Sequence, residues 1–90
     1  MRLGIAGVGR MGAFHARTLS TIQGVGGLVL ADTDLDRRNR VADELAADVV
    51  DGVEGLFSAG IDGLVVAAST DAHADFVLAG VQAGLPVFCE

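Results

Sequence analysis

Ninety residues are enough for one small domain with a modest core and too few for two. With 51% apolar residues, no uninterrupted apolar run of ~18 or more and no charged-then-apolar leader, the chain is expected to be soluble, cytoplasmic and unprocessed, without a membrane partner. Six basic residues against 12 acidic ones, a net charge of -6 and no lysine leave no basic patch for nucleic acid, and the single Cys89 can close no internal disulfide.

Residues 2 to 6 are apolar enough to form a strand buried on both faces, as in a parallel sheet. They lead into Gly7-Val8-Gly9-Arg10-Met11-Gly12, with glycines spaced G-x-G-x-x-G. A strand ending at Ala6 would enter a tight turn at Gly7. Gly9 lacks the Cβ that would hold a diphosphate off the backbone, and Gly12 lets the following helix press against the sheet. That helix, predicted over residues 10 to 22, would turn its unpaired N–H groups and positive end toward whatever fills the turn, which favours a diphosphate. Met11, Phe14, Thr18 and Ile22 recur at helical spacing and are expected to form one face. In a chain with 13 glycines the spacing alone is a weak signal, so its context decides.

Gly24, Gly26 and Gly27 end the helix, and a second strand over residues 27 to 31 is closed by Asp32, 20 positions beyond Gly12. That is the offset expected of a carboxylate that accepts hydrogen bonds from the adenosine ribose. A 2′-phosphate there would meet like charge, so Asp32 favours NAD over NADP. Asp32 and Asp34 also suit capping of the next helix, Asp34 the better of the two.

The second helix is predicted from Leu35 to Ala46, with Leu35, Ala42, Leu45 and Ala46 toward the sheet and Arg37, Arg40, Asp43 and Glu44 on a solvated face. A short third strand follows at residues 48 to 50. Residues 51 to 58 form a helical turn around Val53, Leu56 and Phe57, stopped by Gly60. The fourth strand spans residues 63 to 67, and Ser69-Thr70-Asp71 can cap a helix from Ala72 to about Ala83 that Gly84 terminates.

Ala72, Phe76, Ala79 and Ala83 make one apolar face of that helix, and Val77, Leu78 and Val81 another. The second face is expected to be covered by later chain or a partner subunit. Residues 86 to 89 make a fifth strand, with Pro86 tolerated at its start and Cys89 expected to pack as a small core hydrophobe. Strand and helix alternate throughout, so the crossovers are right-handed and the sheet parallel. The fold class is α/β, a Rossmann-like doubly wound sheet of order 3-2-1-4-5. Its binding crevice lies where the winding reverses, between strands one and four.

From Met1 to Glu90 the chain resembles the N-terminal, NAD-binding part of the glucose-fructose oxidoreductase and inositol 2-dehydrogenase (Gfo/Idh/MocA) family. Three places carry the resemblance: the glycine fingerprint followed by His15 and Leu19; Ser69-Thr70-Asp71-Ala72-His73-Ala74-Asp75, similar to the loop after strand four in the inositol dehydrogenase branch; and Phe88-Cys89-Glu90, similar to the start of the family's Cys-Glu-Lys-Pro signature. The Ser-Thr-Asp loop departs from the Thr-Pro dipeptide of many other branches.

The resemblance implies that Gly7, Val8, Gly9, Arg10, Met11 and Gly12 meet the diphosphate and nicotinamide side, and that Asp32 holds the adenosine ribose. It places Ser69, Thr70 and His73 over the nicotinamide ribose, with Glu90 approaching from strand five. The family's signature lysine, and the aspartate and histidine of its following domain, fall outside residues 1 to 90. No catalytic residue is therefore expected here, and the isolated 90 residues are expected to be one incomplete dinucleotide-binding domain without turnover. Assembly into a homo-oligomer would run through the absent domain.

Bland roles compete with several of these residues. His15 suits packing beside its helix, His73 simple bonding within its turn, and Ser69 and Thr70 plain capping. Neither histidine has a second ligand at metal spacing, so no metal site is expected. Two functions stand beside a third reading, a truncated product that binds nothing tightly because only one side of the crevice is complete. One is the NAD-binding portion of an oxidoreductase moving hydride between a polyol or sugar carbinol, inositol-like, and nicotinamide. The other is an NAD-binding sensor or assembly module without catalysis.

Overall fold

A computed structural model describes residues 1–68 and 70–89, and the side chains of these apart from Val53, Thr70, Asp71, Ala72 and His73. The elements follow in the order β1 (Arg2–Ala6), α1 (Arg10–Ser20), β2 (Gly27–Ala31), α2 (Leu35–Leu45), β3 (Asp48–Val49), α3 (Gly52–Ser58), β4 (Gly63–Val66), α4 (Thr70–Gln82) and β5 (Val87–Cys89). All strand pairs are parallel, in the expected sheet order β3-β2-β1-β4-β5. In the register Ile5 stands between Leu30 and Val65, and Ala6 between Ala31 and Val66, which brings the carboxyl ends of the three central strands level.

Side chains alternate across the sheet with the period of two that a pleated strand imposes. Ile5, Leu28, Leu30 and Val65 pack with Ala13 and Ala16 of α1 and Val41 and Ala42 of α2. On the opposite face Ala6, Val29, Ala31, Leu64 and Val66 pack with Leu56 of α3, and half-buried Phe76 and Val77 of α4 close over them. Helices cover both faces, so the central strands are apolar throughout, whereas β3 at one edge is exposed along its length.

Three faces differ from the sequence expectation. Helix α1 ends at Ser20, and its expected apolar residues Met11, Phe14, Thr18 and Ile22 are all exposed. Its buried positions are Gly12, Ala13 and Ala16, because the helix lies too close to the sheet for large side chains there. In α2, Leu35 is exposed and Ala46 is the exposed left-handed cap (φ 53°). Arg38, Val41 and Ala42 are buried instead. Helix α4 presents Phe76, Val77 and buried Gly80 to the sheet, where a Cβ on Gly80 would lie 2.6 Å from Val87 Cγ2. Val77 therefore joins Phe76 on one packed face, and Leu78 and Val81 remain exposed. At the far edge of the sheet Cys89 is exposed, contrary to the core role expected of it, since β5 has a strand neighbour on one side only.

Candidate functional site

The bend between β1 and α1 is fixed by backbone contacts. Gly7 adopts φ +93°, a conformation L side chains rarely take, and its amide donates to Ala31 O at 2.8 Å, tying the bend to the end of β2. Gly9 is the N-cap of α1, where its carbonyl accepts the Ala13 amide at 2.8 Å. Its φ of -66° is open to any residue.

The three glycines of the fingerprint do different work. A Cβ on Gly12 would lie 1.9 Å from Gly7 O, and one on Gly7 would lie 2.7 Å from the Ala68 backbone. Both glycines are demanded by the fold. A Cβ on Gly9 would meet nothing closer than Arg37 Nη1 at 3.6 Å, an ordinary contact, so nothing in the packing requires glycine there. What Gly9 leaves open is access to the backbone, which suits close approach by a diphosphate. The first turn of α1 carries no acidic side chain, and its leading amides have no partner inside the helix, so the positive end faces the cleft uncompensated.

Asp32 follows β2 and turns back to this bend. Its Oδ2 accepts the Val8 amide at 2.8 Å, and its Oδ1 accepts the Asp34 amide at 2.8 Å. Arg37 adds a forked contact, Nη2 to Oδ1 at 2.9 Å and to Oδ2 at 2.8 Å, with Nε to Oδ2 at 3.2 Å. The Asp32 side chain is only 3% exposed. Burial opposes its charge, but the Asp34 and Val8 amides and the Arg37 guanidinium outweigh that and hold its pKa below the ordinary carboxylate value. Asp34 caps α2, accepting the Arg37 amide at 3.1 Å, so capping belongs to Asp34 and the bend-facing position to Asp32.

These groups border one cleft of about 460 Å³ at the carboxyl ends of the central strands, walled by Gly7, Gly9, Asp32, Arg37, Ala67 and Phe76 among others. A second groove, about 400 Å³, runs past Leu3, His15, Leu19 and Phe88 on the α1 side of β5. It is almost wholly apolar and carries neither carboxylate nor arginine, so the first cleft is the one equipped for a charged ligand. His15 sits beside that groove with its ring edge-on to Phe14 and Phe88, which agrees with a packing role.

Gly7, Val8, Gly9 and Asp32 are thus brought together, Gly12 lies beneath them as the contact between helix and bend, and Arg10 and Met11 stand exposed at the head of α1. Ser69 and Glu90 lie outside the described residues, as do the side chains of Thr70 and His73. Among the described residues no three His, Cys, Asp or Glu side chains converge on a metal position, and no helix is long and apolar enough to cross a membrane.

Arg37, placed on a solvated face by its spacing, is instead the lid of Asp32. The signal for it was local. With Asp34 as cap, Arg37 is the third helical residue, and helical side chains lean back toward the N-terminus, here toward Asp32.

A glycine bend, a helix N-terminus and a carboxylate at the end of β2, all on one cleft, define a dinucleotide-binding doubly wound α/β domain. Comparison with known proteins makes the class specific. The chain belongs to the oxidoreductase family with an NAD-binding Rossmann fold (GFO_IDH_MocA), matched over residues 1–90. It is similar to inositol 2-dehydrogenase 1 and inositol 2-dehydrogenase 2 of Saccharopolyspora erythraea, at 39% and 41% identity over the whole chain. It covers 28% and 27% of their respective lengths. Among solved structures it is similar to a myo-inositol dehydrogenase from Corynebacterium glutamicum ATCC 13032, with a TM-score of 0.90 and 30% identity over 99% of this chain and 27% of that one. The myo-inositol 2-dehydrogenase from Lactobacillus plantarum gives a TM-score of 0.87 and 30% identity with the same coverage.

Proposed function

We propose that residues 1–90 form a single dinucleotide-binding unit of an NAD-dependent oxidoreductase. Its substrate is an inositol-like polyol or sugar, oxidised at a ring carbinol. The observation that carries this reading is the 2.8 Å bond from the Val8 amide to Asp32, which joins the bend and the carboxylate on one cleft. When bound, the nicotinamide dinucleotide supplies the hydride chemistry. The residues of this chain bind and orient. The unpaired amides at the head of α1 meet the diphosphate, open backbone at Gly9 permits the approach, and Asp32 accepts from the adenosine ribose.

Asp32 gives NAD the advantage over NADP, because a carboxylate at the ribose edge opposes a 2′-phosphate. Arg10 and Met11 border the diphosphate and nicotinamide side. Ser69, Thr70, His73 and Glu90 complete the nicotinamide-ribose end, and the base and substrate pocket belong to a further domain. Similarity to inositol 2-dehydrogenases along the whole chain supports the substrate class, and a cytoplasmic setting agrees with the free cysteine.

Calorimetric titration with NAD tests the assignment. Saturable binding that weakens about tenfold or more in Asp32→Ala is expected, the value of a charge-assisted hydrogen bond. Binding unaffected by that substitution would remove Asp32 from the site.

A further inference from the structure

The order of the strands sets the direction in which a dinucleotide crosses the cleft. The glycine bend follows β1, Asp32 follows β2, and the next strand outward is β3. With the diphosphate at the bend and the ribose at Asp32, the base falls on the β3 side. There the Val50 amide donates to Leu30 O at 3.0 Å, extending the pairing of β3 with β2 by one residue. Asp51 and Gly52 come next, and both border the cleft.

Arg38 fixes that segment from α2. It is a buried residue, 8% exposed, with three acceptors. Its Nη1 donates to Val50 O at 3.1 Å and to Asp51 Oδ1 at 3.0 Å, and its Nε donates to Asn39 Oδ1 at 3.1 Å. Asp51 stands at the N-cap of α3, where an aspartate ordinarily accepts an amide of the first turn. Its side chain makes no such bond, because Arg38 holds one of its oxygens. The other, Oδ2, accepts from no described residue, and the side chain is 96% exposed. A buried cation thus anchors one oxygen of a cleft-bordering carboxylate and leaves the second available to a ligand.

Resting on the cofactor reading above, we propose that Asp51 selects the base of the dinucleotide and that Arg38 is its positioning residue. The second carboxylate oxygen accepts a hydrogen bond from the exocyclic amino group of adenine. Hypoxanthine carries a carbonyl oxygen in place of that amino group, so it offers no hydrogen and sets one acceptor against another. Adenine is favoured by one charge-assisted hydrogen bond. Without the Arg38 donor the carboxylate turns to capping α3, the role its position invites, and the preference fades.

The test is calorimetry of the 90-residue chain with NAD and with nicotinamide hypoxanthine dinucleotide, circular dichroism confirming that each variant folds. Unaltered chain should bind NAD about tenfold or more tightly than the hypoxanthine dinucleotide. In Asp51→Asn, whose carboxamide accepts from an amino group or donates to a carbonyl, the two affinities should come within about threefold. Arg38→Met, which keeps a buried stem without the donors, should narrow the ratio similarly, and Arg38→Lys should retain most of it. A loss of stability alone would weaken both dinucleotides equally and leave their ratio unmoved. Equal binding by the unaltered chain, or an unchanged ratio in Asp51→Asn, overturns the role of Asp51 and leaves the cofactor reading standing. An unchanged ratio in folded Arg38→Met removes Arg38 as its positioning residue. Failure of the unaltered chain to bind either dinucleotide overturns both readings.

Discussion

The two halves of the cleft are built by opposite means. The half proposed for the diphosphate is backbone, a bend whose shape is set by what is missing, with Gly7 at φ +93° and Gly12 leaving no room for a methyl group against Gly7 O. The half proposed for the adenosine is side chain, a buried carboxylate held by two amides and covered by a half-exposed arginine. A half made by exclusion cannot adjust at Gly7 or Gly12, because an atom added to either meets main chain. A half made by a salt bridge on a flexible stem exchanges partners without moving the backbone. On the proposed reading, the shape of the diphosphate half is tied to folding at Gly7 and Gly12, and the ribose half is tied to electrostatics.

The largest effect should come from breaking the rigid half. In Gly12→Ala the new methyl lies 1.9 Å from Gly7 O, so α1 must lift off the sheet. A loss of about 3 kcal/mol or more is expected, as for severe overpacking, lowering the melting midpoint by roughly 10 °C or more in a domain of this size. A thermal melt within a few degrees of the parent would show that the bend is not sterically fixed.

The adenosine half should respond next, and to acid. The folded pKa of Asp32 is depressed, so its contribution to stability is present above the unfolded carboxylate value, near 4, and is lost as pH falls through the lower folded value. Asp32→Asn should cost about 1–3 kcal/mol at neutral pH. The gap between parent and variant in urea unfolding should stay constant above about pH 5 and shrink below about pH 4. A gap that does not change down to pH 2 would mean the charge is not what the amides and Arg37 hold.

The smallest effect on stability, and the sharpest separation of folding from binding, belongs to Gly9. Its absent Cβ has space, so Gly9→Ala should change stability by less than about 1 kcal/mol, the usual scale of a cap replacement. Dinucleotide affinity should nevertheless fall about tenfold or more as the methyl group enters the diphosphate approach. Equal losses in both measurements would make Gly9 another structural glycine.

What was legible in the sequence follows the same division. The strands, their order and the bend were readable because they depend on apolar runs and on glycines at fixed offsets, both local properties of the chain. The packed faces of α1 and α2 were not. Helical spacing placed Met11, Phe14, Thr18 and Ile22 on one face, whereas the close approach at Gly12 selects Ala13 and Ala16 for the packed face and leaves those four exposed. Leu35 failed because the first residue of α2 stands exposed at the border of the cleft rather than on the packed face of the helix. Arg37 was misread as solvated surface because helical periodicity says which face a residue is on, not that a long side chain reaches back over the cap to Asp32.

Whether the bend and Asp32 flank one dinucleotide slot is read most directly from amide chemical shifts of the isotopically labelled chain, which report on both at once as NAD is added. The largest shifts should fall on residues 7 to 12 and 32 to 34, rising to saturation together with a single affinity. Shifts confined to the apolar groove beside Leu19 and Phe88, with the bend amides unmoved, would contradict it.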